Sequence, residues 1–458
     1  MNPQAIEWRD KARALRSRQR MIEADAAIAQ ALALAPDDRL IAFLHAQSRY
    51  ELGHDAADLF ARVCRLWPDN PDALRNRAMA EASEGHIDRA IDLLTAALAQ
   101  NPQWLDGHRV LASLLWTSGE AQAFDASYAR AARANPLAQG LWLGWFSAVA
   151  QHRDWPRARA ILDEAESHLG QVRPLTLARL FIANESGDEQ QTARLLEVTT
   201  GWDDPFVRIA HIRAALRMGD PARALEIALP LAQSVPGSPL AGQAWPYVST
   251  CWRLLDDPRG AWLDGDFVRS MDVGLTSAEL DELGALLRAL HTTQLPYAEQ
   301  SVRGGTQTDR SVLLRHEPIL QRARAALMAA VEDYVATLPP HDPAHPLLSR
   351  PRTDLRISGS WSVRLDGAGF NVTHSHPMGW ISSAFYVSLS RDEGPAPAGH
   401  FHYGAPPVEL GLDLAPCATI APQKGHLVLF PSTLWHGTIP TMGRERLNIA
   451  FDVVPAQA

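Results

Sequence analysis

Four prolines set a period along the first third of the chain. Pro36, Pro68, Pro102 and Pro136 are spaced by 32, 34 and 34 residues, and each follows a stretch rich in Ala and Leu. Proline lacks the N–H that would extend a helix and clashes with the preceding turn, so each one marks a helix end. The clearest unit, PDALRNRAMAEASEGHIDRAIDLLTAALAQNP, has Gly85 at the turn between two helices, then Ala90, Leu94 and Ala97 on one face before Pro102. Small residues at those places let paired helices approach closely. One such hairpin cannot bury its apolar face alone, so the pattern requires a stack of neighbours.

A later unit, MGDPARALEIALPLAQSVP, sets Gly219 and Ala224 at the same distances before Pro236 as Gly85 and Ala90 lie before Pro102. The register therefore survives to about residue 236. Residues 137 to 205 keep the helical period but lose signature residues, with Pro174 and Pro205 as punctuation. This is the spacing of tetratricopeptide repeats, and residues 1–255 read as a helical repeat domain of that kind. Such stacks curve into a solenoid whose concave surface commonly takes an extended peptide. A protein or peptide partner held in the repeat groove is the expectation.

Of the 458 residues, 46% are hydrophobic and 21% charged, an ordinary balance for globular protein. A net charge of -9 argues against a grip on phosphate backbones, so no nucleic-acid partner is expected. The first twenty residues alternate charges with short apolar stretches, unlike a signal peptide, and no apolar run reaches membrane-spanning length. Three scattered cysteines, Cys64, Cys251 and Cys417, suit a reducing compartment. A cytoplasmic protein without a membrane span is the expectation.

After Trp252 the pattern changes. RLLDDPRGAWLDGDFVRSMDV is turn-rich, and TSAELDELGALLRALH opens with a capping signature before an apolar run. Another helix, EPILQRARAALMAAVEDYVATL, precedes PPHDPAHPLLSRP, and from Arg356 onward short β-rich segments alternate with Gly and Pro. A second domain over 256–458 is predicted, with a linker and helices at 256–350 and a β core at 351–458.

Within that core, His374 and His376 are two apart, so an extended backbone projects both imidazoles from one face, where two nearby nitrogens can chelate a metal. Sixty residues after His376, a strand from Leu427 to Phe430 and a Pro431-Ser432 turn lead to His436. In RERLNIAFDVVP, Leu447, Ile449, Phe451 and Val453 form one face, with Arg446, Asn448 and Ala450 on the other. Trp361, Trp380 and Trp435 stand near these residues, and core packing is their commoner role. HFHYG repeats the histidine spacing at His400 and His402, without a distal histidine or a following cation to complete it.

The combination of HSH, a distal histidine and an arginine ten residues later resembles the 2-oxoglutarate- and Fe(II)-dependent oxygenases of double-stranded β-helix fold. More narrowly, QSVRGGTQT, THSHPMGWISSAFYV and LVLFPSTLWHGTIP look like a bacterial and phage family of oxygenases often found behind tetratricopeptide repeats, over roughly residues 290 to 455. The resemblance implies iron held by His374, His376 and His436. It also implies 2-oxoglutarate anchored by Arg446, with Arg444 second, and contacted by Tyr386, Ser382 and Asn448. Gln300, Arg303 and Trp380 then fall to the substrate. Fe(II), 2-oxoglutarate and O2 are the implied cofactor and cosubstrates, with ascorbate as a reductant.

One departure stands out, because the usual triad has Asp or Glu two residues after the first histidine and His376 occupies that slot. Either His376 replaces the carboxylate, or two histidines bind iron and another ligand fills the gap. The sequence thus reads as a multidomain α + β protein, a tetratricopeptide-like solenoid followed by a jelly-roll oxygenase domain with supporting helices. The rivals are a catalytically silent interaction protein with a metal-binding β-helix module, and a small-molecule hydroxylase.

Overall fold

The computed structural model describes residues 2–298, 300–390 and 394–456, which form two compact units. The first takes Met1–Ala148 with Thr292–Ala298 and Asp309–Arg324, and the second takes Val149–His291, Glu299–Thr308 and Ala325–Ala458.

In the first unit the helices pair as hairpins: α1 (Pro3–Ser17) with α2 (Met21–Leu34), α3 (Arg39–Glu51) with α4 (Ala57–Leu66). Next come α5 (Pro71–Ser83) with α6 (Ile87–Gln100), and α7 (Leu105–Thr117) with α8 (Ala126–Ala134). Each periodic proline stands two residues past the end of a second helix, as the sequence predicts. Following residues cap the next helix: Asp38 accepts from Leu40 and Ile41 N–H groups, and Asn70 from Asp72 and Ala73, each cap stabilising its helix by about 1 kcal/mol. Gly85 turns between helices at φ +87°, a conformation without steric cost only for glycine. In two hairpins without glycine at the turn, Gln19 and Arg153 take the same left-handed region.

The carbonyls at the C-terminal ends of first helices carry the negative end of the helix dipole, and this unit caps them with its own downstream residues. Gln19 O accepts from Arg324 at 3.1 Å and Tyr50 O from Arg310 at 3.0 Å. Leu52 O accepts from the His316 amide at 3.1 Å, and Thr117 O from the Gln294 amide at 2.8 Å. One edge of these repeats therefore holds residues of the same polypeptide.

The helix α9 (Gln139–Ala150) leads into the second unit, where α10 (Trp155–Leu169), α11 (Arg173–Ser186), α12 (Glu189–Val198), α13 (Pro205–Arg217), α14 (Pro221–Ala232) and α15 (Pro239–Leu254) continue the hairpins. Pro205 and Pro174 open helices rather than follow them. Short α16 (Arg259–Asp264) ends the run, and α17 (Ser277–Leu290) and α18 (Pro318–Thr337) complete the helices among the described residues. The predicted capping box is present, with Thr276 and Glu279 bonding each other's backbone N–H.

Nine strands follow among the described residues: β1 (Arg269–Asp272), β2 (Val302–Gln307), β3 (Leu355–Asn371), β4 (Ile381–Leu389), β5 (Phe401–Tyr403), β6 (Ala418–Ile420), β7 (His426–Pro431), β8 (His436–Thr438) and β9 (Glu445–Pro455). They form a six-stranded sheet in the order β1-β7-β4-β9-β3-β2 and a three-stranded sheet β6-β5-β8, with every pairing antiparallel. This is the jelly-roll core expected from the sequence. Two strands come from the stretch read as linker: β1 pairs with β7 and β2 with β3. RSMD is too short to show alternation and VRGGTQ carries paired glycines, so neither signals a strand by itself.

Along β9 the Leu447, Ile449, Phe451 and Val453 side chains are fully buried on one face of the large sheet. The alternate residues face the space between the sheets, where Phe401, Phe430 and Val428 pack. Helices α13 to α15 share an apolar cluster with the β region, since Ile212, Tyr247, Val248 and Trp252 pack with Leu410 and Trp435. Among the described residues, no helix is long and apolar enough to cross a membrane.

Candidate metal centre and cosubstrate pocket

The space between the two sheets is a cleft lined by residues of both. His374, His376 and His436 meet at it, each offering a ring nitrogen within 4.8 Å of the others, the one such group among the described residues. An isolated two-way bridge brings the first and last together: His374 and His436 exchange N–H···O bonds of 2.9 Å each, and their rings stand 4.3 Å apart. Two positions distant in sequence are thus joined by backbone pairing.

The three rings are oriented the same way for the same reason, because each Nδ1 has a fixed acceptor. His374 Nδ1 donates to Val372 O at 2.8 Å, His436 Nδ1 to Leu434 O at 3.0 Å, and His376 Nδ1 to the Asp452 carboxylate at 2.6 Å. With the proton held on Nδ1, the Nε2 lone pair is left for a metal. Burial, reinforced by the neighbouring His376, pushes the His374 imidazole down to about 3, and burial followed by His374 and His376 holds His436 well below its usual range. Both are therefore neutral near pH 7, the state that ligates. The donor set fits Fe(II), which accepts imidazole nitrogen and needs one face of protein ligands with open positions opposite.

Sequence reasoning missed Asp452. Its carboxylate also accepts from Ser382 Oγ at 2.6 Å, and Ser382 Oγ lies 2.8 Å from Ser432 Oγ. The acid absent from the position two after His374 is therefore supplied one layer back, through His376. Alternation along β9 carried the signal: the face with Arg446, Asn448 and Ala450 reaches Asp452 at its next step. Replacing Asp452 with Asn is expected to weaken metal binding about 10- to 100-fold, the usual cost of losing the partner that orients a ligating imidazole. A Co(II) titration checks this, and unchanged affinity would refute the role.

Tyr386 and Asn448 are paired across β4 and β9, and both line the cleft. The Asn448 side-chain oxygen is buried without a hydrogen-bond partner among the described residues, so the carboxamide calls for a ligand or water. Two residues away on the same face lies Arg446, 1% exposed, its guanidinium carbon 5.9 Å from the Tyr386 ring and one nitrogen donating to Gly399 O at 2.5 Å. A guanidinium at that depth suits the distal carboxylate of a 2-oxo diacid. Arg444 is exposed.

Other candidates fall elsewhere. Ser382 donates to Asp452, the carboxylate that also takes the His376 Nδ1 bond, and does not line the cleft. Trp380 is 5% exposed and donates its indole N–H to Leu347 O at 2.9 Å. Arg303 Nη1 bonds Gln300 O and Val302 O, while Ser301 between them lines the cleft. Trp361, its ring 5.8 Å from His376, also lines the cleft, with Asn371 and Thr438. Phe401 was hidden inside HFHYG: it faces inward, 4.9 Å from Phe430, while alternation puts His402 on the opposite side against Gly437. Trp435 is core, not wall.

An antiparallel jelly roll with three converging imidazoles and a buried arginine two positions along β9 from a cleft residue has the layout expected of a 2-oxoglutarate-dependent non-haem iron dioxygenase. Residues 359–452 match the family model described as "Putative 2OG-Fe(II) oxygenase", so the protein has a 2-oxoglutarate/Fe(II) oxygenase domain behind its tetratricopeptide-like repeats. Among solved structures, it is similar to HygX from Streptomyces hygroscopicus with nickel, 2-oxoglutarate and hygromycin B bound, at 15% identity over 41% of this protein and 82% of that one, TM-score 0.29. A Pseudomonas putida prolyl-4-hydroxylase gives 16% identity over 41% and 92%, TM-score 0.29. A tetratricopeptide repeat protein from Parabacteroides merdae gives 15% over 54% and 90%, TM-score 0.34. Among curated proteins the comparison finds no match.

Proposed function

We propose that this dioxygenase hydroxylates an aliphatic C–H bond on a side group of a protein or peptide. The overall reaction converts substrate C–H, O2 and 2-oxoglutarate into C–OH, succinate and carbon dioxide, one oxygen atom entering each organic product. The observation that carries the reading is the convergence of His374, His376 and His436, all with Nδ1 tied back, on a cleft lined by Asn448, with the buried Arg446 two positions further along the same strand. Fe(II) bound there supplies positions for a chelating 2-oxo acid and for dioxygen.

The protein's own groups do the rest. Arg446 fixes the distal carboxylate by charge-assisted hydrogen bonds, and Tyr386 and Asn448 set the rotation of the bound diacid. Phe401 and Phe430 pack against the inner wall and exclude water, which strengthens those contacts. Trp361, Ser301 and Asn371 face the space left for substrate, and Gln300 with Arg303, bonded to its carbonyl, lies beside Ser301.

The peptide assignment rests on the solenoid, taken as residues 1–255 serving an oxygenase domain at 256–458. One edge of the first repeats is taken by the polypeptide's own segments, so the helix faces remain for a partner. A net charge of -9 supports a protein rather than a nucleic-acid partner, and the three free cysteines support a reducing cytoplasm, with ascorbate available to restore Fe(II).

Anaerobic addition of Fe(II) and 2-oxoglutarate is expected to produce the weak visible charge-transfer band of the chelate, and admission of O2 to release succinate without added substrate. Metal binding with no band and no succinate would leave only a silent binding module. Mass spectrometry of proteins captured by an inactive variant then separates a protein substrate from a small molecule.

A further inference from the structure

One repeat helix touches both loops that carry the metal ligands. At its N-terminal end, Gly242 of α15 lies so close to the HSHP loop that a Cβ there would stand 2.3 Å from the carbonyl oxygen of Pro377, the residue after His376. At its C-terminal end, Thr250 Oγ1 accepts the indole N–H of Trp435, the residue before His436, at 3.2 Å. Between these points Tyr247 meets the Trp435 ring edge-on, centroids 5.3 Å apart at 85°. Arg253, further along, donates to Gly404 O and to Ala415 O, and the Gly404 amide donates to Trp435 O at 2.7 Å.

These contacts do not follow from the needs of a repeat. A helix interior disfavours glycine relative to alanine, and an interhelical seam asks for apolar surface, not a threonine aimed at an indole nitrogen. The close approach at Gly242 admits no side group because the atom facing it is backbone, which cannot swing aside. His376 and His436 lie on separate segments, and α15 braces the neighbour of each. The tyrosine is itself held, since Arg213 donates to its hydroxyl at 3.2 Å and pairs with Glu185 at 2.8 Å. A line of fixed groups thus runs from the repeat helices α11 and α13 to the ligand strand.

We infer that α15 is a positioning element of the metal centre: Gly242, Tyr247 and Thr250 set the spacing between His376 and His436, and hence metal affinity and coordination geometry. The inference rests on the reading of the three histidines as metal ligands. It makes the last repeat part of the enzyme's active unit.

The test uses the full-length protein and Co(II), whose visible d–d bands report geometry as well as occupancy. Thr250→Val, which keeps the shape and removes the acceptor, is expected to lower Co(II) affinity by roughly 10-fold or more and to shift the bands, with Thr250→Ser restoring both. Gly242→Ala is expected to lower affinity by about 10- to 100-fold. Tyr247→Leu, which removes the ring contact with Trp435, is expected to lower affinity in the same direction. A merely structural helix would show lowered unfolding midpoints with Co(II) affinity and spectrum unchanged in Thr250→Val and Gly242→Ala, and that result overturns the inference while leaving the histidine site intact. Failure of wild type to bind Co(II) would remove the metal reading and this inference with it.

Discussion

Replacing His436 with Ala is expected to reduce Fe(II) or Co(II) affinity by roughly 10²- to 10⁴-fold. Its Nε2 is one of three converging nitrogens, and its Nδ1 is committed to Leu434 O, so the ring cannot turn to another role. Structural zinc sites with four ligands bind with about 10–16 kcal/mol, so the loss of one ligand among three costs on the order of 3–5 kcal/mol. The ring also packs 4.5 Å from Phe430 and exchanges backbone bonds with His374, and the backbone pair survives truncation. The fold should therefore persist while the metal is lost. Far-UV circular dichroism alongside anaerobic metal titration checks both halves, and equal metal affinity in wild type and variant would end the ligand assignment.

Replacing Arg446 with Ala should leave metal affinity within a factor of a few and weaken 2-oxoglutarate by about 2–5 kcal/mol, roughly 30-fold to several-thousand-fold. The guanidinium is 1% exposed, two positions along β9 from Asn448 on the cleft face, and does not belong to the imidazole cluster. A buried diacid carboxylate without its cation would be left desolvated and uncompensated. Arg446→Lys should recover only part of the loss, because an ammonium supplies a charge but not two parallel N–H donors. Titration of the charge-transfer band with 2-oxoglutarate reads the effect. A variant that binds the cosubstrate as wild type does would move the anchor elsewhere. Set beside His436→Ala, this variant separates metal site from cosubstrate site, and Asp452→Asn falls between them by touching the metal only through His376.

Much of the architecture was legible because its signals are periodic. Prolines at repeat spacing end helices by local chemistry, and the capping box at Thr276 and Glu279 is local as well. Alternation along β9 divided its residues correctly into a buried face and a cleft face, and following that alternation one step further would have reached Asp452. The strands β1 and β2 were not legible, because four residues of RSMD and the glycines of VRGGTQ become strands only when β7 and β3 offer their edges. Ser382 and Trp380 were read as cosubstrate and substrate contacts, and in the fold their polar groups bond Asp452 and Leu347. Which group a buried hydroxyl or indole meets depends on what lies across the core, and Asp452 and Leu347 come from segments far along the sequence.

By itself, then, the order of residues determined everything that repeats over short range: the hairpin stack, the capped helices, the faces of β4 and β9, and the residue types able to hold a metal. Only the folded protein decided which of them meet. It closed the bridge between His374 and His436, put a carboxylate behind His376, and laid a repeat helix against both ligand loops. Those are long-range contacts between residues whose identities are compatible with many neighbours, and only the packing of one sheet on another, and of α15 on both loops, selects a single set.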